Sequence, residues 1–154
     1  MRGKLMLGAG LAAAAAVAFV AGGVVAAPDV AGPMTVHVIE HANTDTFVDI
    51  KGDGDSTGDL LTFHNPVFDA TDSTRVGRDQ GECTRIVTGR SFECTWITHL
   101  AGGSITVEGP FFDTHDSVVA VTGGTGLYRN ARGSMTLRSR AGGTEFDFIF
   151  HLIA

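Results

Sequence analysis

Glu40 is the next-to-last residue of the run MTVHVIEH (34–41), in which apolar and polar residues alternate. On a strand this parity puts Val36, Val38 and Glu40 on one face and His37, Ile39 and His41 on the other. If the first face lines a lumen, Glu40 is a carboxyl group in apolar surroundings. Burial there disfavours the charged form and raises the pKa, giving an acid or base usable near neutral pH. If Glu40 sits instead at an open mouth, it is a hydrated surface acid. Asn65, in FHNP, shares a face with Leu61 and Phe63. Turned inward, its amide needs partners, and a held water or ligand is one supply; the alternative is a turn-forming Asn ahead of Pro66. Trp96 shares a face with Phe92 and Cys94 and is either a ligand wall or plain core. The expected site is therefore Glu40 and Asn65 as the chemical groups, with Val38, Phe63, Trp96 and Tyr128 as apolar walls.

Other constellations are weaker. The loop DIKGDGDSTGD (49–59) carries Asp49, Asp53, Asp55 and Asp59. Its spacing does not fit the EF-hand pattern, so a solvated loop is preferred to a calcium site. The six histidines lack metal-binding spacing. His37 and His41 lie four apart on a strand, about 13 Å by the strand rise, too far to share one ion. There is no G-x-S-x-G elbow. The sequence thus implies no metal and no cofactor. GGTGLYRNARG (123–133) lacks the Lys-[Ser/Thr] of a P-loop and the G-x-G-x-x-G spacing, and no helix pattern follows it. It reads as a tight turn between antiparallel strands, with Tyr128 plugging an end of the core and Arg129 or Arg132 at the rim.

These residues need a frame, and the alternation supplies one. Eight runs read as strands, at about 35–42, 59–65, 82–88, 91–99, 104–112, 116–122, 132–139 and 144–152. Gly, Asp, Asn and Ser clusters separate them, and no helical period is sustained in this part. Eight short strands in one small domain suggest a sandwich or a barrel; a closed barrel leaves no free edge and can hold one small ligand. A two-residue turn at Thr88-Gly89 sets Cys83 opposite Cys94. Opposed residues can lie about 4.5 Å apart at Cα, within disulfide range. The alternative is two buried free thiols.

The first residues differ from the rest. Arg2 and Lys4 precede an Ala- and Gly-rich apolar run that closes on small residues at Val24–Ala27. That order is a secretory signal peptide, cut after Ala26, rather than an uncleaved anchor. The expected organisation is a signal peptide at 1–26, a short linker at 27–34 and one barrel domain at 35–154, with no stable membrane insertion after cleavage. Two cysteines suit one disulfide in a secreted, extracellular protein. A net charge of −6 gives no footprint for nucleic acid.

GDLLTFHNPVFD (58–69), VGRDQGECTRIV (76–87), ITVEGPFFDTHDSVVAVTGGTGLYRNARG (105–133) and the terminal EFDFIFHLI resemble the allene oxide cyclase barrel. The GGTG-x-[Phe/Tyr]-x-x-A-x-G stretch is shared with the related dirigent proteins. The resemblance implies a closed eight-stranded antiparallel β-barrel, a homotrimer and a mostly apolar cavity. The cyclases close a ring in an unstable fatty-acid epoxide; the dirigent proteins steer phenoxy-radical coupling without oxidising anything. Where plant cyclases carry a Glu and an Asn on the first strand, this chain has Val38 and Glu40. Asn65 matches an Asn that helps hold a water, and Cys83 matches a pocket cysteine. The His-Asp of the dirigent first strand is not evident in VHVIEH. Three functions follow as expectations: a cyclase or isomerase holding a flexible apolar substrate in one shape, a non-catalytic dirigent-like binder, or a structural surface barrel filled by its phenylalanines. An open lumen with Glu40 and Asn65 converging favours the first, and a full lumen the third.

Overall fold

A computed structural model describes residues 33–153. The segment read as a signal peptide, and most of the linker after it, lie outside these residues. Ten strands follow one another: β1 (Met34–His41), β2 (Thr46–Val48), β3 (Leu60–Phe63), β4 (Pro66–Asp69), β5 (Arg75–Val87), β6 (Ser91–Leu100), β7 (Gly103–Phe112), β8 (Ser117–Gly126), β9 (Arg132–Arg140) and β10 (Glu145–Ile153). No helix occurs among the described residues, and none is long and apolar enough to cross a membrane.

From β5 to β10 the chain is an antiparallel meander; β1 then pairs with β10 on one side and β4 on the other, and β4 pairs with β5. The β5–β6 pairing completes the ring. β3 and β4 occupy one place, both lying along the long β5, and β2 is an extra strand on β3. Eight places therefore close the barrel, as the resemblance implies; of the two architectures the alternation left open, the sandwich is the one not formed.

Three strand bounds differ from the sequence expectation. β5 begins at Arg75, well before residue 82, because its lumen-side residues there are Gly77, Asp79 and Gly81, which hide the apolar alternation. β8 runs on to Gly126, so half of GGTGLYRNARG is strand. Gly124 packs so closely on the carbonyls of Tyr128 and Ser104 that a side chain would collide with them; the turn proper is Leu127–Ala131, closed by Ala131 N–H donating to Tyr128 O (2.9 Å). The 59–65 strand breaks at His64-Asn65, and PVFD resumes it as β4.

Cys83 and Cys94 stand opposite each other and form a disulfide, with Cα atoms 4.0 Å apart. The register is the expected one, but the turn is not. Val87 pairs with Ser91, so the loop is Thr88-Gly89-Arg90, and a bulge at Ile86 restores the cysteine register. Closing so short a loop is worth roughly 3 kcal/mol at most.

The core is the lumen. Val38, Val67, Ile105, Val107, Val119, Val121, Met135, Phe148, Phe150 and Leu152 are buried in one cluster. Each contributes about 1.5–3 kcal/mol by leaving water. Ile39, on the outer face of β1, is also buried within the single chain, at 1% exposure. It offers little surface to a neighbouring subunit.

Candidate functional site

The break between β3 and β4 places Asn65 inside the barrel wall. Its backbone pairs with Asp79 in both directions, at 2.9 and 3.2 Å. Its side-chain carbonyl accepts three hydrogen bonds, from Asn43 N–H (3.0 Å), Thr44 N–H (2.9 Å) and the Thr44 hydroxyl (3.0 Å). This fixes which way the amide points. Asn65 Nδ2 then donates to Glu40 Oε1 (2.7 Å) and to Asp45 Oδ1 (2.8 Å). Both amide hydrogens are thus committed to carboxylates, and neither is left for a bound water.

Glu40 is 5% exposed and Asp79 is fully buried. Burial raises the Glu40 pKa well above the usual carboxyl range, and the neighbouring Asp79 charge adds to it; the Asn65 amide opposes. Asp79 is lifted to about 7, again chiefly by burial, while hydrogen bonds from Glu40 and the Asn65 backbone hold it down. With both groups ionised, Asp79 Oδ2 has no hydrogen-bond partner. A proton on Glu40, shared with Asp79, supplies one and removes a buried like-charge clash.

Glu40 and Asp45 border a cavity of about 40 Å³. Its other walls are Phe63, Trp96, Phe111, Leu137, Phe146, Phe148 and the Cys83–Cys94 disulfide. Gly81 faces Trp96 across the ladder and leaves no room for a side chain of its own, so the indole takes that space. Trp96 lies 5.7 Å from Phe148 and 6.4 Å from Phe63, ring centre to ring centre. The cavity holds no more than about three waters. Phe111, Leu137 and Phe146 also border a larger outer hollow of about 430 Å³ with His115, Asp113 and Asp116 on its rim. Phe111 and Phe146 meet edge to face at 5.9 Å, forming an aromatic partition between the two spaces.

Arg85 stands near this end. It is buried, pairs with Asp55 (2.6 Å) and doubly with Asp113 (2.7 and 2.9 Å), and lies 3.6 Å over the Phe92 ring. Asp55 belongs to the Asp-rich loop, in which Asp49 and Asp59 cap backbone. Asp49 accepts from Gly52, Asp53 and Gly54 N–H, and Asp59 from Ile50 and Ser56 N–H.

Of the residues expected to form the site, Glu40, Asn65, Phe63 and Trp96 come together. Val38 is buried in the core but does not line the cavity. Tyr128 lies in the β8–β9 turn, at the opposite end of the barrel, where burial raises its pKa. Asp79, Asp45 and Arg85 were not anticipated. Parity with Cys83 would have turned Asp79 inward had β5 been extended backward; nothing in the sequence marks Asp45.

A closed antiparallel barrel, aromatic inside and tipped with buried carboxyls, is the class of protein these features define. Residues 32–153 match the allene oxide cyclase family, and the chain belongs to it. Solved structures share the fold. A pyocyanin demethylase superposes with a TM-score of 0.64 at 24% identity, covering 76% of this chain and 100% of that one. A pterocarpan synthase dirigent protein gives 0.66 at 18%, covering 79% and 94%. An exo-specific intermolecular Diels–Alderase gives 0.62 at 14%, covering 79% and 98%.

Proposed function

We propose that the protein is an exported small-molecule-binding barrel acting as a cyclase or isomerase, with Glu40 as its acid–base group. The inner cavity, at about 40 Å³, is too small for a flexible substrate as it stands, so a mainly apolar substrate would occupy the outer hollow of about 430 Å³ and displace the Phe111–Phe146 partition to reach Trp96 and Phe63. Orientation in a fixed aromatic pocket can lower a barrier by several kcal/mol, so few reactive groups are needed. Asn65 acts as a positioning residue, holding the Glu40 carboxyl at the cavity wall. The single observation that carries this reading is a Glu40 carboxyl, buried and tied by Asn65, on the wall of an aromatic cavity. The disulfide supports export, since such bonds persist in oxidising compartments. Homotrimeric assembly rests on family resemblance.

The small inner cavity favours a second reading, a surface barrel packed solid by its phenylalanines. Native mass spectrometry of protein from its secretory host separates the two and counts subunits. A co-purified small molecule that quenches Trp96, the sole tryptophan, supports the first. Glu40→Gln should then fold normally and lose on the order of 10²–10⁴ in turnover, the usual worth of a positioned acid or base. A chain that carries nothing, and whose fluorescence answers to no extract of the host, is the filled barrel.

A further inference from the structure

On the outer wall, His41 and Glu145 face each other across the β1–β10 ladder. Asp72, from the loop between β4 and β5, folds over them. One ligand atom from each of the three lies within 4.8 Å of the other two, and all three residues are half-buried. His41 Nε2 is 2.7 Å from Asp72 Oδ1. The imidazole is held by stacking on Phe68, ring centres 4.2 Å apart and 24° from parallel. The Glu145 backbone pairs in both ladders, but its carboxylate has no hydrogen-bond or ion-pair partner among the described residues. Arg140 sits opposite it in the β9–β10 ladder, yet its guanidinium reaches towards Asp147 at 3.7 Å, which also takes His37 at 2.8 Å. A half-buried carboxylate without a cation therefore stands beside a second carboxylate and an oriented imidazole.

We propose that His41, Asp72 and Glu145 bind one divalent transition-metal ion, with zinc as the best match. Zinc takes nitrogen and carboxylate oxygen at about 2.0–2.2 Å, so tetrahedral ligand atoms stand roughly 3.3 Å apart. To reach that spacing His41 and Asp72, 2.7 Å apart, part by about 0.6 Å, and Glu145, within 4.8 Å of both, closes in by up to about 1.5 Å, a side-chain rotation. A fourth, open position would suit a water. An imidazole ligand selects against calcium and magnesium, which prefer oxygen alone. The ion would join three separate parts of the chain: the end of β1, the start of β10 and the β4–β5 loop. His41 directly follows Glu40, so the clamp would also steady the strand that carries the inner carboxyl. Sequence spacing could not show the site, because its ligands meet only through the ladder and the folded-back loop.

The test is calorimetric titration of zinc into untagged, chelator-treated full-length protein, with thermal unfolding measured in parallel. The proposal expects one zinc per chain and a higher melting temperature with zinc, absent with calcium or magnesium. Glu145→Gln, which removes a group that has no partner to lose, should weaken binding by on the order of tenfold or more, since even outer-shell partners of a metal are worth that much. His41→Asn should do the same, while His37→Asn should bind as the parent does. No zinc uptake by the parent protein overturns the site. So does uptake that Glu145→Gln leaves unchanged, and an equal response to calcium overturns the choice of ion.

Discussion

The two ends of this barrel are built to different rules. At the end of the β8–β9 turn, the lumen is filled by Ile105, Val121, Ala131, Phe150 and Leu152, all at 3% exposure or less. Backbone segments there touch. Gly126, at φ +60°, lies against the carbonyl of Gly102. At the opposite end the lumen holds Glu40 and the aromatic cavity, with a half-open hollow outside it. Turn residues there, such as Gly89 and Gly143, have no atom near enough to meet an added methyl. Burying carboxyls costs stability, and a closely packed apolar end is what offsets it. One end holds the fold, and the other is free to carry chemistry.

The largest expected effect lies at the packed end. Phe150 is fully buried against Phe148, with ring centres 6.4 Å apart. Phe150→Ala should cost about 3–5 kcal/mol, because the lumen cannot collapse around the void. Phe146→Ala removes the same side chain from a half-buried position beside an existing cavity and should cost clearly less. Urea unfolding of both variants measures the difference. Equal losses would mean that the cavity end is packed as firmly as its opposite, and the contrast would fail.

That contrast also decides what could be read from the sequence. Strands whose lumen face is apolar, such as β6, β9 and β10, announce themselves by alternation, and their bounds fell within about two residues. β5 did not, because a lumen that admits Trp96 requires Gly81 opposite it, and a lumen that holds a proton requires Asp79. The residues that make the site distinctive are those that erase the strand signal. Glu40 and Asn65 were legible through parity. Asp45 was not, since its place depends on how the 42–45 segment wraps around the Asn65 carbonyl. The β5–β6 register followed from an assumed two-residue turn at Thr88-Gly89; the turn has one residue more, and the cysteines still stand opposite because the bulge at Ile86 compensates for it.

A second prediction concerns the proton held at the site. Asp79 has a folded pKa of about 7 against an ordinary 3.8, and Glu40 is raised in the same direction. Between those values the folded chain keeps protons that the unfolded chain has released. The stability this represents is complete below about pH 4 and is lost as pH rises through 7. Each unit of difference corresponds to about 1.4 kcal/mol, so the coupled pair should account for a fall on the order of 2–4 kcal/mol between pH 4.5 and 8. Asp79→Asn keeps an acceptor for the Asn65 N–H and removes one of the two titrating groups, leaving Glu40, whose pKa burial alone still raises. Its stability should fall less than the parent's over the same range and exceed that of the parent at pH 8. Asp69, held down to about 2 by hydrogen bonds from Ser73 and Thr71, titrates below this window and does not confuse it. Parallel pH profiles for parent and variant would show that Asp79 carries no proton into the fold.

The smallest effect separates the ends by their turns alone. Gly89, in the β5–β6 turn, has φ +63°, and Gly126, at the end of β8, has φ +60°. The backbone penalty for an alanine is the same at both, about 1–2 kcal/mol for a left-handed conformation. Space is what differs. A methyl at Gly89 meets nothing within 4 Å, whereas at Gly126 it overlaps a backbone carbonyl that cannot move without parting β7 from β8. Gly89→Ala should therefore cost only about 1 kcal/mol, and Gly89→Asn less, because Asn adopts that conformation more readily. Gly126→Ala should exceed both by a margin that Gly126→Asn does not recover. Denaturation midpoints for the four variants resolve backbone strain from collision. An asparagine rescue at Gly126 equal to that at Gly89 would reduce both positions to conformation alone and remove close backbone contact as the feature that distinguishes the packed end.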